Sequence, residues 1–275
     1  MKAIAFSPAH ITGFFQIFLS EDEKKAGSRG AGISLSIGSY AFVKEATHFR
    51  MSKKASVARD AIKNIGKNFE VIIKNELPVS QGFGMSASSA LAASMAASCH
   101  IKGLPYEKAL EYVHISEIKH KSGLGDAIAA FYGGMEARIE PGLYGKIKKW
   151  NVEEKLLLLV AGKEMKTHAI LNNEKIMEKI NDAGKECMKN FMRKPSFENF
   201  LRQSKRFSEE SGILSKKMLK ILEKLNEVDI SAACMIGNSF FARWSKKMKK
   251  EMMRYGRVYE AYVDNEGTRV LAAFM

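Results

Sequence analysis

Three serines and two glycines crowd the mouth of a helix in LPVSQGFGMSASSALAAS, Leu77 to Ser94. Backbone N–H groups at a helix N-terminus have no intrahelical acceptor, and the helix dipole favours negative charge there. Gly82 and Gly84 let the chain turn tightly and let a ligand come close to the backbone. Ser86, Ser88 and Ser89 add hydroxyls that can cap the helix, bond phosphate oxygens or reach Mg²⁺. Two readings stand: a capped helix whose glycines serve turn geometry only, or a cradle for an anion. Capping uses one serine and the stretch supplies three, which favours phosphate binding. The loop is not the GxxxxGKS/T type, because no lysine follows its second glycine, and it lacks the third glycine of a dinucleotide fingerprint.

The elements that must position this loop follow from periodicity. KAIAFS (2–7), AGISLSI (31–37), SYAFVKEA (39–46) and FEVIIK (69–74) read as strands by alternation and β-branched content. Residues 86–101 read as a helix of small residues able to pack closely on its neighbours. An amphipathic helix follows over 106–120 behind Pro105, then a short helix in GDAIAAFYGG (125–134), stopped by Gly133 and Gly134. After Lys149 the texture changes. EKLLLLVAG (154–162) reads as a buried strand. Helices are expected around 167–190, 196–210 and 214–227, then a strand at 230–237, a helix in SKKMKKEMMR and two closing strands, RVYEAYV and TRVLAAF. This grouping predicts an α+β fold with an N-terminal lobe over 1–150 and a C-terminal lobe over 151–275.

Composition narrows the class. The chain has 275 residues, 46% hydrophobic and 27% charged, which suits a soluble globular protein of one domain or two lobes. No apolar run approaches the roughly 20 residues of a membrane span, and the N-terminal segment MKAIAFSPAHITGFF has no leader pattern, so a cytoplasmic protein is expected. Cys99, Cys187 and Cys234 lie far apart with no metal-type spacing, as reduced thiols do. The formal charge of +14 gathers partly in KIKKW (146–150), SKKMLK (215–220) and SKKMKKEMMR (245–254). These runs lack the interleaved aromatics of a nucleic-acid binder and read as solvated helix faces.

PVSQGFGMSASSALAAS resembles the phosphate-binding motif P-x-x-x-G-L-G-S-S-A-A of the GHMP kinases. Pro78, Gly82 and Gly84 match, Ser88 falls on the motif's second serine, and Ala87 replaces the first. The resemblance implies that Ser88 reaches Mg²⁺ and the ATP phosphates. EIKHKSGLGDAIAAFYGG (117–134) resembles a second family segment, E…H-G-x-P-S-G-x-D-N-A…G-G. That match implies Asp126 as catalytic base and Glu117 as metal ligand, with a spacing between them two residues shorter than the family's. Read without the family, Asp126 is an acid favoured by a helix dipole. KEMKTHAIL (163–171) puts Thr167 at a family threonine, and AACMIGNSFFA (232–242) keeps only Gly237 of the third family motif. The implied fold has a ribosomal-S5-like N-terminal lobe and a ferredoxin-like C-terminal lobe.

SPAHITGFFQIF (7–18) places His10 where many GHMP kinases carry a lysine, and AGSRGAGISLS follows at 26–36. Together they resemble the archaeal pantoate kinases, a branch serving coenzyme A synthesis. ATP-dependent, Mg²⁺-assisted phosphorylation of pantoate to 4-phosphopantoate is then the implied activity, with a homodimer as the default assembly. Arg29, between Gly27 and Gly30, offers paired donors for a carboxylate, or is an exposed loop arginine. Phe14 and Phe15 offer an apolar wall or are core; His10 bonds substrate or phosphate, or is satisfied by the backbone. The rivals are another small-alcohol kinase of the family (mevalonate, homoserine or shikimate) and a non-catalytic nucleic-acid-binding or regulatory protein on the same fold.

Overall fold

The computed structural model describes residues 2–66, 68–100, 104–165 and 173–274. The chain opens with two long antiparallel strands, β1 (Lys2–Phe18) and β2 (Gly27–Glu45). Pro8, Gly13 and Gly38 look like strand breakers, and the alternation alone suggests short strands with gaps. The structure instead carries the pairing through, absorbing the irregularity as register shifts between Pro8 and Ala9 and between Thr12 and Phe14.

Helix α1 (Ser56–Lys63), β3 (Phe69–Asn75), α2 (Met85–Ser98), α3 (Tyr106–His120) and α4 (Asp126–Tyr132) follow, then β4 (Met135–Arg138) and β5 (Ile147–Trp150). The second half holds β6 (Lys155–Val160), α5 (Glu174–Arg193), α6 (Phe197–Glu210), α7 (Lys216–Asn226), β7 (Ser231–Ala233), β8 (Ser239–Arg243), α8 (Lys246–Met252), β9 (Arg257–Tyr262) and β10 (Arg269–Phe274). One sheet has the order β10-β1-β2-β4-β5 with β3 on the far half of β2; the other runs β7-β8-β6-β9. The architecture is α+β. Among the described residues no helix is long and apolar enough to cross a membrane.

Small residues let α2 sink into the first lobe. Ala92, Ala93 and Ala96 are fully buried and share a cluster with Ala3, Ala5, Ala41 and Val43 of β1 and β2. Every residue of α2 except Ser86 is buried. A helix enclosed all round in this way needs side chains with little bulk, which the alanine and serine content supplies. In the second lobe Leu156 to Leu159 are fully buried because β6 pairs with both β8 and β9. Aromatic rings weld the two lobes: Phe14 of β1 lies 5.7 Å from Phe191 of α5 and 6.1 Å from Phe200 of α6, ring centre to ring centre.

The division at residue 150 needs one correction. Residues 269–274 return to the first sheet, where β10 pairs with β1 and Val270 packs on the first-lobe core. Thr268 fixes the return, its Oγ1 lying 2.8 Å from Ser7 Oγ and donating to the Ala130 carbonyl at 3.0 Å.

Candidate active site

The phosphate-loop candidate runs from the end of β3 into α2. Gly82 (φ +77°) and Gly84 (φ +60°) both hold left-handed backbone, and a Cβ on Gly82 would overlap the Cys234 carbonyl. Gly84 caps α2 without a side-chain bond. The second lobe braces this turn: Ser239 Oγ donates to the Gln81 carbonyl, and Gly237 lets its loop lie against Gln81 and Gly82. That close approach gives the surviving glycine of the third family motif a physical role.

An open cleft lies over the turn, lined by Gly82, Gly84, Ser86, Glu117, Lys121 and Asp126 among others. A smaller cavity is walled by Thr12, Phe15, Ser28, Gly123, Gly125 and Asp126. Ser122, Asp126, Met235 and Ile236 border both. A carboxylate on the shared wall stands between space fit for a polyanionic tail and space fit for a small partner.

Asp126, at the start of α4, ends a buried chain of alternating charge. His10 Nδ1 lies 2.9 Å from Asp126 Oδ1, and His10 Nε2 lies 3.1 Å from Glu136 Oε1. Arg138 donates through Nη1 to the same Glu136 oxygen and through Nε to Ser28 Oγ at 3.2 Å. Thr12 Oγ1 donates to Asp126 Oδ1 at 3.2 Å. His10 and Glu136 are fully buried, whereas the Asp126 side chain keeps 22% exposure to the cleft. Burial acts to lower the His10 pKa, but its bonds to Asp126 and Glu136 outweigh that and raise it. A carboxylate oxygen faces each ring nitrogen, an arrangement that favours the protonated ring. Burial acts to raise the Asp126 pKa, and the His10 bond and charge, with Arg138 and Thr12, overturn that and hold it down. Asp126 is thus ionised, with Oδ1 occupied and Oδ2 turned towards Gly123.

Glu117, on α3, is buried beside Asp126 and accepts from the Ala127 N–H at 3.2 Å. Burial and then the Asp126 charge push its pKa up to about 8. No ion pair partners it among the described residues. Such a carboxylate suits a divalent cation. Among the described residues no three His, Cys, Asp or Glu side chains converge on a metal site of their own, so phosphate oxygens would have to complete a shell begun by Glu117 and Ser86.

The serines need a correction. Ser88 is fully buried and its hydroxyl donates to the Ser7 carbonyl at 2.7 Å, so it does not face the cavity. Ser89 also turns inward, to the Met85 carbonyl at 2.7 Å and Asn75 Oδ1 at 3.0 Å. Of the three, only Ser86 is exposed and lines the cavity. The cause is helical phase: two positions along a helix turn a side chain through about 200°. Counted from Gly82 and Gly84, the motif's second serine is then Ser86. Pro78 lies three residues past β3 and outside the cavity lining.

Arg29 does not line either cavity, although its neighbour Ser28 does. Alternation along β2 explains this, and Arg29 pairs in register with Gln16. Phe14 is core; Phe15 is core and cavity wall at once. Thr167 lies outside the described residues. None of the three basic clusters contributes to either cavity. Glu136, Arg138 and Ser28 were missed by sequence reasoning: β4 alternates as Met-Glu-Ala-Arg, but four residues are too short a run to stand out, and nothing in the pattern marks its two charges as buried.

The profile of the GHMP kinases N terminal domain matches residues 46–134. The chain is 31% identical to a pantoate kinase of Methanocaldococcus jannaschii, covering 90% of this chain and 95% of that protein. It is 32% identical to a pantoate kinase of Thermococcus kodakarensis, over 86% of each. A solved structure described as a phosphotransferase related to the CoA biosynthesis pathway superposes with a TM-score of 0.88 at 27% identity, over 98% of both chains.

Proposed function

The chain belongs to the pantoate kinases of the GHMP kinase family, and from that premise we propose that it transfers the γ-phosphoryl group of ATP to the primary hydroxyl of pantoate, giving 4-phosphopantoate and ADP for coenzyme A synthesis. The observation that carries this reading is Asp126 on the wall common to the two cavities. The triphosphate lies along the 82–86 turn, whose N–H groups and α2 dipole offset its charge. The hydroxy acid occupies the smaller cavity, with its branched carbon against Phe15, Met235 and Ile236. Asp126 Oδ2 orients the hydroxyl and accepts its proton as the oxygen bonds to the γ-phosphorus and the bond to ADP breaks. Glu117 and Ser86 would hold Mg²⁺, which when bound offsets the charge of the β- and γ-phosphates. The thiols of Cys187 and Cys234, pushed up to about 12 by burial, stay protonated and unreactive.

The test is ADP release with pantoate, mevalonate, homoserine and shikimate offered separately, with the product identified by mass. Release with pantoate is expected; its absence, with release on another alcohol, would overturn the assignment.

The serine correction has its own test. Ser86→Ala should raise the Mg²⁺ and ATP concentrations needed for half-maximal rate by about tenfold, the scale of one bond to a charged group. Ser88→Ala should leave both titrations unchanged and lower unfolding stability by about 1–3 kcal/mol, because the Ser7 carbonyl loses its buried donor. A shifted metal titration in the Ser88 variant alone would reverse the two roles.

A further inference from the structure

The cleft over the phosphate turn must receive a polyanion, and one divalent ion offsets only part of its charge. His10 and Arg138 do not add to this: both are engaged by carboxylates, and neither borders the cleft. His120 borders it, but its Nε2 lies 2.6 Å from Asp60 Oδ2. Of the described residues lining the cleft, only Lys121 is a lysine or arginine. Glu117 and Asp126, carboxyl groups on the same wall, make the demand for a cation greater.

The backbone singles out the same residue. Among the described residues, Ser80 and Lys121 are the only non-glycine positions with left-handed backbone, at φ +60° and +49°, and both line this cleft. Lys121 caps the C-terminus of α3, a place where left-handed geometry usually calls for glycine because a Cβ there is strained. The helix dipole does not account for the choice, since Lys119 and His120 already supply cations to the last turn. Strain of this kind persists where a side chain is needed. The Lys121 N–H bonds the Glu117 carbonyl one turn back, so α3 delivers both the Glu117 carboxyl group and the Lys121 side chain to the same cleft.

We propose that the Lys121 ammonium binds the triphosphate of ATP, and that its left-handed backbone is kept for that contact. An ammonium carries three donors and no acceptor, which suits a group rich in phosphate oxygens. A cation held there offsets phosphate charge in binding and in transfer. The proposal rests on the reading of this cleft as the nucleotide site.

The test compares the full-length protein with Lys121→Gly, Lys121→Asn and Lys121→Arg. Calorimetry gives ATP binding, coupled ADP release gives turnover with pantoate, and urea unfolding gives stability. Glycine and asparagine accept left-handed backbone, so both keep the turn and remove the charge. In each the ATP dissociation constant should rise about tenfold or more, the scale of a bond to a charged group, with the KM for pantoate little altered. The urea midpoint of Lys121→Gly should hold or rise, because relief at φ +49° offsets the freedom glycine gives the unfolded chain. Lys121→Arg should recover most of the ATP affinity. Unchanged ATP binding in a folded glycine or asparagine variant overturns the proposal. Lost affinity that comes with a lower urea midpoint and is not recovered by arginine overturns it in favour of a structural role. Failure of both neutral variants to fold overturns it as well, since the proposal makes Lys121 dispensable to the fold. Failure of the nucleotide-site reading would show separately, as a parent protein that neither binds ATP nor releases ADP with any of the four alcohols.

Discussion

Asp126→Asn should lower turnover by about 10²-fold or more, the scale of losing a general base, while nucleotide affinity stays near that of the parent. The substitution is nearly isosteric, and its carbonyl can still receive the bonds that Oδ1 takes from His10 Nδ1 at 2.9 Å and Thr12 Oγ1 at 3.2 Å. What disappears is the charge and the second oxygen, Oδ2, turned to the cleft beside Gly123. An amide nitrogen there cannot accept the proton of the attacking hydroxyl. Glu117 does not substitute, because it is buried, accepts from the Ala127 N–H and would be engaged with the metal during turnover. Coupled ADP release gives the turnover and calorimetry gives the ATP affinity. Near-normal turnover in the variant would remove Asp126 from the chemistry.

His10→Gln should act on pH dependence and on stability together. In the parent, burial alone would raise the Asp126 pKa, and the His10 bond and charge are the strongest of the forces that bring it down. With the imidazolium gone, burial dominates and the carboxyl titrates at higher pH. The base works only when ionised, so the acid limb of kcat/KM should move upward: activity is lost at acidic pH and recovers as pH rises. Glutamine also leaves Asp126 and Glu136 without the cation that separates them. Removing one member of a buried ionic network costs about 3–5 kcal/mol, which urea unfolding would register. An acid limb and a denaturation midpoint both unmoved would show that His10 does not set the charge state of Asp126.

The sequence carried the element types well wherever periodicity was long. Helix α3 matches the expected 106–120, and the buried strand within 154–162 appears as β6, because amphipathic spacing and an apolar run are local signals. The two opening strands were harder. Pro8, Gly13 and Gly38 are breakers by local rules, and only pairing along nearly the whole of β1 and β2, with irregular register, keeps the chain extended through them.

The site divides in the same way. Gly82, Gly84 and Asp126 could be read from spacing and resemblance, since they lie on contiguous segments. Which serine lines the cavity was not legible from a count of hydroxyls; the helical phase set by Gly84 turns Ser86 to it. The Glu136–Arg138 pair sits on a strand of only four residues, too short to stand out, and its link to His10 spans 126 positions of sequence. No local rule reaches across that distance.

The pairing of β10 with β1 bears on biosynthesis. A ribosome exporting residues 1–150 has already delivered Ser86, Glu117 and Asp126, yet the strand that flanks β1 emerges only with Arg269–Phe274. Until then the nascent sheet carries a naked hydrogen-bonding margin, a template on which another unfinished copy can stack. Clipping those six residues should therefore yield insoluble aggregates rather than a working first lobe, and chaperone dependence should be greatest just before translation passes that segment.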